Sequence, residues 1–425
     1  MTILALILLL LALILIGVPI GFVLTLIGSL GLFLISGPDV LVSILSSTVY
    51  RSVNNFTFTT IPLFILMAHF ISKSGIADDL FDTMLKWIGH LPGGAGVATV
   101  LASAGFGALS GSSIAATSTM SQIAVPQMIR ANYSDKFATG LVATCTGTLA
   151  VLIPPSIPLV IYGIQTETSI GKLLIAGVIP GIFLTTTLCI VVVITSMKSN
   201  SKVDKASWSE RWSSLGPLLP TVILISLVLA VLYSGIATST EVAAFGAFGA
   251  LVIGLVLKRL SISSIYQALV STTKQTAMIF LIIIGANIFA TYIAMSRVGF
   301  LMVNWVVDSG LSAPVILLLI IIAYLVLGMF LDLIATLLIT LPLVFPLIIE
   351  LGYDPIWFGV LVVILLEIGL VTPPTGLNLF IVSEHSKVPV EKVFMGSVPF
   401  IVVLLFCILV MVLVPELATY LPSKM

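Results

Sequence analysis

Charge is scarce in this chain of 425 residues: 8% of it is Asp, Glu, Lys or Arg, seventeen basic side chains against seventeen acidic, with three histidines. A soluble globular chain carries about 25% charged residues, and with 59% of positions hydrophobic this one cannot stay dissolved as a monomer. No basic excess exists to attract nucleic acid, so a nucleic-acid binder is excluded, and a cytosolic enzyme with it. Cysteine is rare too. Cys145, Cys189 and Cys407 sit far apart in apolar runs, with no CxxC and no neighbouring histidine, and read as reduced, structural thiols rather than a metal set. Motifs for catalysis are missing: there is no GxxxxGK[ST] loop, no HExxH and no Gly-x-Ser-x-Gly. The chain is therefore not an enzyme, and it powers nothing by hydrolysing ATP itself.

Long apolar runs are what remains, and they predict an all-α polytopic membrane protein. Segments able to cross about 30 Å of hydrocarbon lie at 57–72, 137–163, 172–197, 217–234, 236–257, 276–296, 356–383 and 394–415. The run 3–36 is too long for one untilted helix and breaks at Gly17-Val18-Pro19-Ile20-Gly21, where proline removes a backbone donor; it splits into 3–16 and 18–36. Met1-Thr2-Ile3 offers no basic n-region, so the first helix is expected to be retained rather than cleaved as a signal. Residues 95–129 and 312–350 are apolar but interrupted, by Gly107-Ala108-Leu109-Ser110-Gly111-Ser112-Ser113 and by Gly328-Met329-Phe330-Leu331-Asp332. Both read as re-entrant helical hairpins.

Lysine and arginine favour cytoplasmic loops. With ten spans and the N-terminus outside, thirteen of them fall on the cytoplasmic side: Lys73, Lys86, Arg130, Lys136, Lys198, Lys202, Lys205, Arg211, Lys258, Arg259, Lys274, Lys387 and Lys392. Four, Arg51, Lys172, Arg297 and Lys424, fall outside. Both termini are then periplasmic, the first hairpin opens to the cytoplasm and the second to the outside.

An internal repeat underlies the pattern. Leu152-Ile153-Pro154-Pro155-Ser156 and Val371-Thr372-Pro373-Pro374-Thr375 break two spans 219 residues apart, the leading glycines of the hairpin tips are separated by 221, and Gly17 pairs with the Gly235 turn at 218. Five spans per copy, an odd number, invert the second half. The expected organisation is a first repeat over 1–197, a cytoplasmic linker over 198–214 and a second repeat over 215–425. Inverted repeats with discontinuous helices are the architecture of secondary transporters, which hold substrate near the bilayer midplane.

At membrane depth, irregular backbone survives only where it is buried in protein or lines a cavity. Each break and each tip exposes carbonyls at a half-helix C-terminus, suited to Na⁺, and N–H groups at a half-helix N-terminus, suited to an anion. Oxygen-only ligands favour a hard, unreactive cation. Hydroxyls and a carboxylate stand where such chemistry needs them: Ser110, Ser112, Ser113, Thr146, Thr148, Asp332, Thr372, Thr375 and Asn378. One Pro-Pro alone reads equally as a kink, and one tip serine as a close-packing small residue; two breaks at matching positions favour a site. An intramembrane carboxylate is costly and marks a pathway, which favours a role for Asp332 and leaves Glu367 balanced between site and structural acid.

At these residues the chain resembles the large membrane subunit of tripartite ATP-independent periplasmic (TRAP) transporters. The likeness runs along the whole sequence and is strongest at 107–113, 147–162, 235–241 and 367–380. It implies a Na⁺-driven elevator in the bacterial inner membrane, in which hairpins and broken helices slide against a scaffold enlarged by a small four-helix membrane subunit. It also implies a soluble periplasmic binding protein that delivers a carboxylate, of the sialic acid or C4-dicarboxylate class, with a sialic acid the first expectation. Carried over by motif, one Na⁺ site would involve Ser110, Gly111 and Ser112 with carbonyls at Gly147, Val151 and Ile153. A second would involve Gly328, Asp332, Gly369, Thr372 and Gly376, and substrate would lie near Ser112, Ser156, Thr375 and Asn378. The alternatives are a stand-alone Na⁺/dicarboxylate symporter, which needs no binding protein, and a passive channel, which so few charges disfavour.

Overall fold

The computed structural model describes residues 2–196, 203–299, 301–302, 304 and 310–425. Residue 197 of the expected first repeat and residues 198–202 of the expected linker, with Lys198 and Lys202 of the charge count, lie outside these. Among the described residues the chain is helical throughout, with no strand.

The opening run breaks where proline predicted. Helix Thr2–Leu15 ends at Gly17, whose φ of +91° suits glycine, and Pro19 precedes Ile20–Val53. That second helix continues past the expected end at 36. Gly37 kinks it at φ 78°, and Pro38, at the start of the new segment where its missing N–H costs nothing, restarts the helix to Val53. Three further pieces escape a reading by hydropathy because they are amphipathic or polar: Ile76–Ile88, Trp208–Leu215 inside the expected linker, and the first part of Ile262–Ser296. The last was expected only from 276. At 35 residues and 1.5 Å per residue it is about 52 Å long, well beyond one bilayer core.

Among the described residues eight helices are long and apolar enough to span a membrane, nine if the bent pair Asp135–Leu152 and Ile157–Gln165 is one span. Ten were expected. Thr2–Leu15 has 14 residues, about 21 Å of helix, and Pro355–Leu370 with Leu377–Ser386 is parted by a longer break, residues 371–376. Conversely Leu333–Glu350, an expected hairpin arm, is itself long enough.

The hairpins are present with their tips where the small and polar residues predicted: Gly94–Ser110 and Ser113–Arg130 for the first, Ala313–Gly328 and Leu333–Glu350 for the second. The repeat is visible in packing. Ile20–Val53 lies along Ile262–Ser296, and Thr60–Lys73 lies along Ser239–Val256; an offset of about 218 residues exchanges these two pairings. The same exchange relates the second arm of each hairpin to the other half's broken helix, Ser113–Arg130 on Leu377–Ser386 and Leu333–Glu350 on Ile157–Gln165. Lipid tails are as apolar as leucine, so such contacts depend on close packing and on buried hydrogen bonds. Both are seen: Gly140 crosses Gly396 so tightly that a Cβ on Gly140 would lie 2.0 Å from a backbone carbon, and the buried hydroxyls of Thr60 and Thr240 are 2.7 Å apart.

Candidate functional site

The tips and breaks are fastened to each other in the same way in both halves. The Ile157 N–H, just past the first break, donates to the Gly111 carbonyl of the first tip at 3.2 Å; the Thr375 N–H donates to the Met329 carbonyl of the second tip at 3.1 Å. Donors and acceptors are each 218 residues apart. The second fastening has an extra bond, from Thr375 Oγ1 to the same Met329 carbonyl at 2.5 Å. Close backbone approach backs up both. A Cβ on Gly107 would be 2.8 Å from Ala150 Cα, and one on Gly369 would be 2.3 Å from the Gly328 carbonyl carbon. Only glycine allows the hairpin arms to touch the broken helices this closely.

Between the tips lies a cavity of about 80 Å³ lined in part by Gly111, Ser112, Val151, Gln275 and Asp332. Its lining includes the first residue of all four half-helices that start at a tip or a break: Ser113, Ile157, Leu333 and Leu377. Three of these starts are capped by side chains. Ser112 accepts from the Ala115 N–H at 3.5 Å, Ser156 from Leu159 at 3.4 Å and Asp332 from Ala335 at 3.0 Å. Gly376, at φ 42°, opens the fourth. Four positive dipole ends therefore converge, while Asp332 is the one charged residue of the lining and no Lys, Arg or His is among it. Such helix ends offer backbone N–H donors to an anionic group, while the Asp332 carboxylate in the same lining opposes one.

The expected Na⁺ residues fall into two sets. Gly111, Ser112, Val151 and Asp332 meet at the cavity; Ser110, Gly147, Ile153, Gly328, Gly369, Thr372 and Gly376 line the joints around it. Ser110 is buried and its hydroxyl finds no partner. The Thr372 hydroxyl donates to the Ile368 carbonyl at 2.6 Å, and Ile153 has extended backbone at the first break. Of the four expected substrate residues, Ser112 lines the cavity. Ser156 is fully buried as a helix cap, Thr375 is engaged with Met329, and Asn378, also fully buried, faces Glu367.

One residue was missed by the sequence reading, and a second was named without a partner. Gln275 lines the cavity from the long helix Ile262–Ser296; its only signal is a polar residue where an apolar run begins. Ser113 lay in the first tip string but was not placed in a site. Its hydroxyl donates to Glu367 Oε2 at 3.0 Å, so that the first hairpin is tied to the second broken helix.

Comparison with known proteins agrees with this architecture. Residues 7–417 match the family model described as the tripartite ATP-independent periplasmic transporter, DctM component. The C4-dicarboxylate TRAP transporter large permease protein DctM of Pseudomonas aeruginosa is 37% identical over 93% of this chain and 92% of that protein. The sialic acid TRAP transporter large permease protein SiaM of Vibrio cholerae is 31% identical over 96% and 95%. Among solved structures, the Alcanivorax borkumensis YdaH transporter shares the fold with a TM-score of 0.62 at 14% identity, covering 92% of this chain and 89% of that one. The chain belongs to the DctM family of tripartite ATP-independent periplasmic transporter components.

Proposed function

We propose that this chain is the membrane permease of a Na⁺-coupled importer that receives a carboxylate from a periplasmic binding protein, works beside a small four-helix membrane subunit and moves its hairpins and broken helices as an elevator. The observation that carries this reading is the convergence of four half-helix N-termini on one cavity without a basic side chain. Backbone N–H groups at such ends attract an anion, and recognition by dipoles rather than by Arg or Lys lets the anion leave again. The inverted repeat supports alternating access from either side, and the lysine and arginine count supports periplasmic termini.

The residues present fit Na⁺ as the coupling ion. Oxygens that are buried and unpartnered, among them Ser110 Oγ, suit a hard cation, and no group of three or more His, Cys, Asp or Glu that would favour another metal occurs among the described residues. A bound Na⁺ supplies positive charge that offsets Asp332 where the anion must sit. Size bears on the substrate: about 80 Å³ is far below the roughly 300–1,000 Å³ of drug-sized ligand sites. A four-carbon dicarboxylate needs less widening than a nine-carbon sialic acid, and the P. aeruginosa relative named for C4-dicarboxylates has the higher identity of the two. We therefore favour the C4-dicarboxylate class.

The test is uptake of labelled succinate and of labelled N-acetylneuraminate into proteoliposomes holding this chain and its small membrane subunit, under an inward Na⁺ gradient, with and without the binding protein. Succinate uptake that requires both Na⁺ and the binding protein is expected. Uptake needing Na⁺ alone identifies a stand-alone symporter, and constitutive flux without a Na⁺ gradient identifies a channel.

A further inference from the structure

Helix Trp208–Leu215 lies inside the stretch expected as a polar linker, yet it runs on into Leu219–Ser234 as one apolar span of 27 residues. At 1.5 Å per residue that span is about 40 Å long, and about 30 Å of hydrocarbon takes up only about 20 of its residues. Counted back from Ser234, those residues end near Leu215. Trp208 and Trp212 therefore stand about one to two turns past the hydrocarbon edge, at headgroup depth on the side that the lysine and arginine count makes cytoplasmic. Both indoles are 64% exposed, and helical spacing puts them on one face with Leu219, Val222 and Ile223, which are exposed further along the span. The apolar stripe that meets lipid tails thus ends in two tryptophans, the residue type enriched where hydrocarbon gives way to headgroups.

Charge at this depth is positive. In sequence, residues 198–214 carry Lys198, Lys202, Lys205 and Arg211 against Asp204 and Glu210. Glu210 is spent on its own helix start, where Oε2 accepts from the Ser207 N–H and from Ser207 Oγ, both at 2.7 Å. Arg211 is 6% exposed; its guanidinium carbon is 5.1 Å from the centre of the Trp208 ring, and its Nη2 donates to His90 Nδ1 at 3.2 Å. A guanidinium cannot accept, so His90 is unprotonated at Nδ1. Burial first, and then the charges of Arg211 and Lys205, hold His90 below the ordinary histidine range. Arg211 Nε has no partner, and neither of the two ion pairs among the described residues, Lys86–Asp82 and Arg259–Asp79, includes Arg211. Its charge is left uncompensated in a low-dielectric setting and is felt at the surface beside the indoles. Two bonds hold this face in place against Ile76–Ile88: Thr83 Oγ1 donates to the Ser214 carbonyl at 2.9 Å and Trp87 Nε1 to the Arg211 carbonyl at 3.2 Å.

We propose that this face is a docking surface for anionic phospholipid of the cytoplasmic leaflet, with the indoles of Trp208 and Trp212 among the headgroups and Arg211 and Lys205 drawing phosphate charge to them. The order of the surface matches the order of such a lipid: aromatic and basic groups lie level with an anionic headgroup, and apolar side chains lie level with its acyl chains. The surface goes beyond the transport reading, since lipid binding needs neither Na⁺ nor substrate.

The test is tryptophan fluorescence of the purified full chain in detergent, titrated with spin-labelled phosphatidylglycerol or with phosphatidylcholine carrying the same label. A Trp208→Phe/Trp212→Phe variant, which keeps the apolar surface, is measured beside it, and the difference isolates these two indoles. Half-maximal quenching of the isolated signal is expected at a phosphatidylglycerol mole fraction about fivefold or more below that of phosphatidylcholine, since each basic side chain near an anionic surface strengthens binding severalfold. Lys205→Glu changes an exposed linker position, leaves the fold alone and is expected to cut that preference about threefold or more. Equal quenching by the two lipids overturns the inference, as does a preference that Lys205→Glu leaves unchanged. Absence of quenching by either lipid also overturns it, because the face would then be turned away from the bilayer or covered by protein.

Discussion

Gly147→Ala places one methyl group among three buried polar side chains. The new Cβ would lie 2.4, 2.5 and 2.9 Å from Ser113 Oγ, Asn378 Nδ2 and Glu367 Oε2, so three side chains that bond one another must each yield by about 0.5–1 Å to regain van der Waals distance. Overpacking of this kind costs about 1–3 kcal/mol. Parting Ser113 from Glu367 strips a buried acceptor of its donor, at about 1–3 kcal/mol more. Against this stands the helix preference for alanine over glycine, about 1 kcal/mol. The balance is a loss of about 1–5 kcal/mol from the sum of these ranges. Thermal unfolding of the purified protein reads it as a fall of several degrees, with Gly216→Ala, whose Cβ meets nothing within 4 Å, as the control that holds. A Gly147→Ala protein as stable as the wild type, or more so, refutes the packing argument, because only the helix-propensity gain would then remain.

Three other substitutions follow from the cavity and its fastenings. Asp332→Asn keeps an acceptor for the Ala335 N–H, since asparagine caps helices as well as aspartate does, so the protein should fold with its melting temperature within a few degrees of wild type. Its Na⁺ activation of uptake should weaken about tenfold or more, and wild-type activation would remove Asp332 from the site. Thr375→Val deletes the hydroxyl bond to Met329, worth about 1 kcal/mol, while the N–H bond stays; cysteine-labelling rates at the second tip should rise about fivefold, and an unchanged rate would mean the hydroxyl holds nothing. Gln275→Ala, on the long helix and not on a hairpin, should change the substrate KM of uptake severalfold with little change in melting temperature. A KM equal to wild type would show that substrate does not touch that helix.

Much of the fold was legible because its signals are backbone events. Gly17 before Pro19, the two Pro-Pro breaks and the glycines of the tips interrupt apolar runs, and a helix in hydrocarbon has few other ways to break. The helices that escaped hydropathy, Ile76–Ile88 and Ile262 to Gln275, are those whose polar faces lie outside the apolar stretches. The site was harder. The motifs singled out Gly111, Ser112 and Asp332, and the chain brings these three to one cavity, because a tip residue has nowhere else to go. Asn378 and Ser156 sit at the same kind of break, yet a half-turn of helix decides whether a side chain faces the cavity or the protein, and no spacing in the chain encodes that rotation. Glu367 and Ser113 lie 254 residues apart; their meeting is a product of the repeat's exchanged packing, which a linear reading sees only as two polar residues.

The two tips are copies in backbone but not in bonding. Met329 accepts twice from Thr375, whereas Gly111 accepts once, from Ile157, which has no side-chain donor to add. A difference of about 1 kcal/mol is a ratio of roughly five between the frequencies with which the two tips come loose. Duplication gave this chain two tips of one design, and a single threonine hydroxyl fastens the second more firmly to its broken helix than the first is fastened to its own.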